Sequence, residues 1–141
     1  MDLEVDKMEA QVKADHYDFS RYIRSTSRWD SYYYQLKYSL ESDARDVLLI
    51  GPGDNIVPNL LRFYDKNLTT FDIAEDLNPD IVGDICELDT IVSDSSYDCI
   101  VCCEVCEHIP FEKFEGIINN FSKALRSDGK LVFSVPRGGI Q

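Results

Sequence analysis

The sequence predicts an α/β domain in which helices cover both faces of a parallel sheet, and three observations predict it. Short apolar runs, Val47-Leu48-Leu49-Ile50 and Tyr97 to Glu104 foremost, are continuous rather than alternating, the pattern of strands buried on both faces. Segments of helical period separate them, and strand–helix alternation builds parallel sheets. Polar and glycine residues gather where strands end: Gly51 and Gly53, then Asp72, Asp84 and Cys103-Glu104. In an open parallel sheet, ligands bind beyond that edge.

A chain of 141 residues holds one core and is too short for two. The expected organisation is a helical arm or lid over 1–42 and an α/β core over 43–141. A net charge of −12 repels phosphate backbones, which argues against nucleic acid and anionic membranes as partners. No apolar run approaches the roughly 18 residues that span a bilayer. The acidic start, Met1-Asp2-Leu3-Glu4, lacks the basic-then-apolar pattern of a secretory signal, so the expected location is cytoplasmic.

Five cysteines, Cys86, Cys99, Cys102, Cys103 and Cys106, make an odd, bunched set that suits a reducing compartment better than a disulfide framework. Cys99-x-x-Cys102 and Cys103-x-x-Cys106 have zinc-ligand spacing. However, Cys99 to Cys103 read as a buried strand, where residues three apart face opposite sides. They are taken as small buried hydrophobes.

Residues 1–17 are polar without a strong period and read as a loose arm or irregular helix. From Asp18 to about Ser42, Trp29, Tyr32/Tyr33, Leu36 and Leu40 recur at helical steps. Ser27 and Asp30 loosely resemble a capping box. This aromatic helix either packs on the body or, with Trp29, Tyr32 and Tyr33, closes over a ligand. The first strand, 47–50, leads through the glycine loop into a helix from Ile56 to about Tyr64, with Pro58 tolerable in its first turn. Strands follow at 68–73 and 81–82, then at 97–104. Pro110 opens a helix with Phe111, Phe114, Ile117/Ile118, Phe121 and Leu125 on one stripe. Ser127-Asp128-Gly129 stops it, with Gly129 as a left-handed cap, and 130–135 forms the fifth strand.

The glycine loop Gly51-Pro52-Gly53-Asp54-Asn55 allows a sharp turn and close approach of a ligand, and Asn55 tolerates a left-handed backbone. The third glycine of a dinucleotide fingerprint is replaced by Ile56, and no Gly-Lys-Ser/Thr phosphate loop follows. Asp72 lies about 20 residues past the first glycine, the spacing at which an acid accepts from ribose hydroxyls. Asp84 offers a carboxylate to an adenine amino group or caps the turn at Ile85. Carboxylates without Lys or Arg suit a cationic sulfonium that carries no phosphate.

Taken together, these residues resemble class I S-adenosylmethionine-dependent methyltransferases of the broad small-molecule group. The segments 47–55, 70–73, 80–85, 97–110 and 123–132 resemble its motifs in order, over residues 45 to 136. The resemblance implies a Rossmann-like sheet with S-adenosyl-L-methionine as cofactor. Gly51, Gly53 and Asn55 would border its methionine and ribose portions, and Asp72 would hold the ribose diol. Ile73 would pack on the adenine, Asp84 and Ile85 would read its edge, and Cys103 would sit near the methionine end. Leu49 stands where the family commonly has an acid, and Pro52 removes one loop N–H.

Glu104 and His108 are the candidate bases for a small-molecule acceptor; both could equally be structural. Glu104-x-x-Glu107-His108 resembles a metal signature of some O-methyltransferases, but His16 is the one other histidine, and no metal is expected. The Asn-Pro-Pro-Tyr signature for nucleic-acid bases or glutamine is absent. The family normally adds two more strands, so a truncated core is expected, its sheet edge open to an oligomer or partner chain. A non-catalytic cofactor- or partner-binding module is the second reading, and a nicotinamide-binding domain the third.

Overall fold

The computed structural model describes residues 24–137. The arm over 1–17, the expected helix start at Asp18 and His16 lie outside the described residues. The first described helix, α1 (Thr26–Leu40), precedes β1 (Asp46–Ile50), α2 (Ile56–Phe63), β2 (Asn67–Asp72) and β3 (Ile81–Val82). The short α3 (Leu88–Ile91), β4 (Tyr97–Cys103), α4 (Phe114–Ala124) and β5 (Leu125–Ser134) complete the order. All described strand pairs are parallel, in the order β3-β2-β1-β4-β5. The order reverses between β1 and β4, and a crevice opens at that switch point.

Successive residues of β1 and β4 divide between two cores, as the pleat requires. Leu48, Ile50, Ile100 and Cys102 pack with Leu88, Ile117, Phe121 and Ala124 beneath α3 and α4. Val47, Leu49, Cys99 and Val101 pack with Tyr32, Val57 and Leu61 beneath α1 and α2. Each fully buried large side chain here contributes about 1.5–3 kcal/mol, so both faces must be covered for the sheet to form. Cys99 and Cys102 therefore point to opposite cores, and all five thiols are free.

The amino ends of β1 and β4 are tied by charge. The Asp98 carboxylate accepts from the amides of Arg45 and Asp46 at 3.1 and 3.0 Å. Arg126 Nη1 donates to Asp46 and Asp98 at 2.8 and 2.9 Å. Further along, Asp80 accepts from the Thr70 amide at 2.8 Å and its own amide returns to Thr70 Oγ1 at 2.9 Å. That exchange fixes the path from β2 to β3 and so places the carboxyl end of both.

Local expectations fail at three places. Ser25, not Ser27, precedes α1, and neither serine caps it: their hydroxyls bond each other at 2.7 Å. Pro110 opens a 3-10 turn, Phe111–Lys113, before α4 begins at Phe114. The tighter period of that turn throws Phe111 off the apolar stripe. It is 87% exposed and stacks on Phe114. Gly129 is not the left-handed residue after α4. Asp128 takes that role with φ 67°, while a Cβ at Gly129 would meet the Arg126 carbonyl at 2.8 Å. The fifth strand consequently starts at Leu125, bulges, and resumes its pairing at Lys130 opposite Cys99.

Candidate cofactor and active site

A cleft opens where β1, β2, β3 and β4 end, and α1 forms its outer wall. Its floor is the glycine loop, with Gly51 at φ 76° and Gly53 at φ 56°. The Gly51 amide donates to the Phe71 carbonyl at 2.9 Å, so the loop continues the sheet before it turns. A Cβ on Gly51 would lie 2.7 Å from Val105 Cγ2. Only glycine lets the backbone pass beneath that side chain in a left-handed conformation.

Asp54 secures the loop from two sides. Its Oδ1 accepts from the Ile56 amide at 3.0 Å, and its Oδ2 accepts from the Tyr32 hydroxyl of α1. Arg28, Tyr32 and Gln35 occupy one face of α1, and all three line the cleft. Tyr32 is the member of the expected aromatic trio that lines it. Trp29 and Tyr33 stay exposed, Trp29 meeting the Tyr32 ring edge-on at 5.4 Å.

At one end of the cleft, Asp72 closes β2. Its Oδ1 accepts from the Ala74 amide at 2.8 Å. Burial pushes its carboxyl above the usual range, against the pull of the Ala74 and Ile73 amides. Ile73, Ala74, Leu77 and Ile85 supply apolar walls beside it, and Asp84 faces the same space. Asp84 Oδ1 also accepts from the Cys86 amide at 2.9 Å. The capping reading of this residue and its place on the cleft wall thus hold together, because a carboxylate has a second oxygen.

At the other end stand Cys103, Glu104, Val105 and His108. Glu104 adopts φ 58° and accepts from the Ser134 hydroxyl at 3.2 Å. Burial raises its carboxyl, Glu107 adds to the rise, and Ser134 and Arg28 oppose it. His108 Nε2 lies 3.3 Å from Glu107 Oε1 at the rim. The Cys103 thiol, pushed up to about 11 by burial, is neutral and donates to the Val132 carbonyl. It is a wall, not a nucleophile.

Of the residues singled out from the sequence, Gly51, Gly53, Asp72, Ile73, Asp84, Ile85, Cys103, Glu104 and His108 all border this cleft. Asn55 does not. It takes the left-handed residue before α2, φ 64°, so its contribution is to turn the chain. Arg28, Gln35 and Asp54 are additions that sequence reasoning missed. For the first two the signal in the sequence is the 28, 32, 35 spacing, which sets Arg28 and Gln35 on the same face of α1 as Tyr32.

The donor set suits an adenosyl sulfonium: carboxylates at 72 and 84, apolar walls between, and a cation and an acid at the far end. A parallel sheet in this order with such a cleft defines the class of nucleotide-like cofactor domains that bind at the switch point. Comparison with known proteins narrows the class. The sequence model of the family described as "Methyltransferase domain" matches residues 14–140. The chain belongs to that family, and its fold is that of the class I S-adenosylmethionine-dependent methyltransferases.

Nodulation protein S of Azorhizobium caulinodans is 31% identical over 108 residues, covering 67% of this chain and 51% of that protein. The chain thus spans about half the length of this curated relative. Among solved structures, the N-methyltransferase NodS from Bradyrhizobium japonicum WM9, in complex with S-adenosyl-L-homocysteine, superposes with a TM-score of 0.66 at 22% identity. That match covers 78% of this chain and 62% of NodS. A SAM dependent methyltransferase from Archaeoglobus fulgidus gives a TM-score of 0.61 at 18% identity, covering 69% and 48%. At such identities the likeness is one of fold. Among the described residues no helix is long and apolar enough to cross a membrane.

Proposed function

We propose that this chain is the cofactor-binding core of an S-adenosyl-L-methionine-dependent methyltransferase acting on a small-molecule acceptor. The observation that carries the reading is the convergence, in one cleft, of residues from four strand ends and α1 that match an adenosyl amino acid piece by piece. Asp72 would take the ribose diol through its Oδ2, and Asp84 the adenine amino group. Ile73, Leu77 and Ile85 would enclose the adenine ring, while the backbone at Gly51 and Gly53 borders the ribose. Arg28 offers a positive charge to the carboxylate of the methionine end, while Leu49 on β1 stands where the family commonly has an acid. When bound, the cofactor supplies an electrophilic methyl on a sulfonium.

The chain's own contribution is chiefly to hold the acceptor in line, which is worth roughly 7–11 kcal/mol. Glu104, whose carboxyl is raised by burial, is placed to take a proton from an amine or hydroxyl acceptor at the cleft mouth. His108 is the second candidate at the rim. The net charge of −12 favours a neutral or cationic acceptor over an anionic one, and five free thiols fit the cytoplasm. Calorimetry with S-adenosyl-L-homocysteine tests the first half of the reading. Binding by the wild-type protein, weakened about tenfold or more in Asp72→Ala, is expected. A folded protein that binds neither this product nor the cofactor overturns it.

A further inference from the structure

Beneath the Glu104 loop lies a feature that cofactor binding does not use. Cys102, the penultimate residue of β4, and Cys106, which opens the turn Cys106–His108, bring their sulfurs to 3.8 Å. Both belong to the core under α4, Cys102 fully enclosed and Cys106 at 9% exposure. Between them the chain is Cys103-Glu104-Val105, three residues that line the cleft. We propose that Cys102 and Cys106 are a redox modification site, oxidised by a peroxide to a disulfide that distorts the cofactor cleft. The functional half of this inference rests on the reading of the cleft given above.

The chemistry balances with hydrogen peroxide as oxidant. The Cys106 sulfur attacks one peroxide oxygen, the O–O bond breaks, the thiol's proton passes to the departing oxygen, and a sulfenic acid forms with loss of water. The Cys102 sulfur then attacks that sulfur, its thiol proton passes to the departing hydroxyl, which leaves as a second water, and the S–S bond closes. Two thiols are oxidised and one peroxide is reduced. The order follows from position, since Cys106 is the more accessible of the two sulfurs and the two lie in contact. Burial pushes the other three thiols, Cys86, Cys99 and Cys103, up to about 11, for the last two against hydrogen bonds from Ser39 and Ser134.

A disulfide needs sulfurs about 2.05 Å apart, so the loop between the cysteines must shorten its path. Val105 is the loop's contact with the cofactor floor, its Cγ2 lying 2.7 Å from where a Cβ of Gly51 would be. Glu104 already holds a left-handed backbone. Displacement of this loop therefore reaches both the glycine floor and the candidate base.

The purified chain is treated with hydrogen peroxide or left reduced. Free thiols are mapped by alkylation and mass spectrometry, and S-adenosyl-L-homocysteine affinity is measured before and after dithiothreitol. A Cys102–Cys106 linkage is expected, with affinity lowered about tenfold and restored by dithiothreitol. Cys106→Ser and Cys102→Ala should each bind when reduced and show no such loss. Absence of the linkage in folded wild-type protein, or a linkage that leaves affinity unchanged, overturns the proposal. An equal oxidative loss in Cys106→Ser does the same. The mapping needs no ligand, so failure of the reduced protein to bind would count against the cofactor reading alone.

Discussion

Individual residues at the strand ends carry the argument from sequence to site, and Gly51 shows how far each can be pressed. Its φ of 76° and the Val105 methyl at 2.7 Å from its missing Cβ combine two penalties, one conformational and one steric. Gly51→Ala is expected to destabilise the protein by about 2–4 kcal/mol in urea titration and to weaken S-adenosyl-L-homocysteine binding. Adding Val105→Ala should recover the steric part and leave the conformational part, so the double-mutant cycle should show coupling. Strictly additive losses would mean the two residues do not meet. At this scale the sequence was informative wherever chemistry demanded a residue type: glycine where the backbone turns left-handed, an acid where β2 ends. It was uninformative where a role depends on a neighbour. Asn55 and Asp54 are adjacent and both polar, yet Asn55 turns the chain while Asp54 bonds Ile56 and Tyr32, a distinction set by α1 rather than by the loop.

The elements were legible in proportion to their burial. β1 and β4 pack on both faces and announce themselves as apolar runs. The passage from α4 to β5 was blurred because its boundary depends on Asp128 adopting φ 67°, which a neighbouring glycine disguised. The helix α1 was the hardest to place, since an aromatic period reads alike for a packed helix and a lid. In the structure Tyr32 is buried in the core and its hydroxyl donates to Asp54 on the glycine loop. Tyr32→Phe keeps the ring and removes that bond. A hydrogen bond to a charged group contributes about 1.5–3 kcal/mol, so amides of Thr26–Leu40 should exchange about tenfold faster or more while those of β1 and β4 hold steady. Unchanged exchange in α1 would show that packing alone holds the wall.

Across the whole molecule, charge is arranged along the sheet with opposite consequences at its two edges. At the amino edge, amides of Asp46 and Arg45 and the Arg126 guanidinium hold Asp98 below the usual carboxylate range. Asn67 and Arg126 do the same for Asp46. At the carboxyl edge, burial raises Asp72 and, with Glu107, Glu104. A depressed carboxyl adds stability that is present above its unfolded pKa of about 3.9 and is lost as pH falls through its folded value. A raised carboxyl has the reverse sign: its contribution is present at low pH and is lost as pH rises through the folded value. Asp98→Asn should therefore destabilise the protein near neutrality, with the deficit closing in acid. Asp72→Asn should stabilise it near neutrality, with the gain closing in acid, and should weaken S-adenosyl-L-homocysteine binding. Urea midpoints of the three proteins across the acid range, read beside calorimetry at neutral pH, measure both. If Asp72→Asn lowers the neutral midpoint, the acid at the end of β2 is a structural bolt like Asp98, and its place in the cleft is incidental. If it raises the midpoint while affinity falls, the carboxyl edge is held against its own electrostatic preference, and ligand binding is what that arrangement serves.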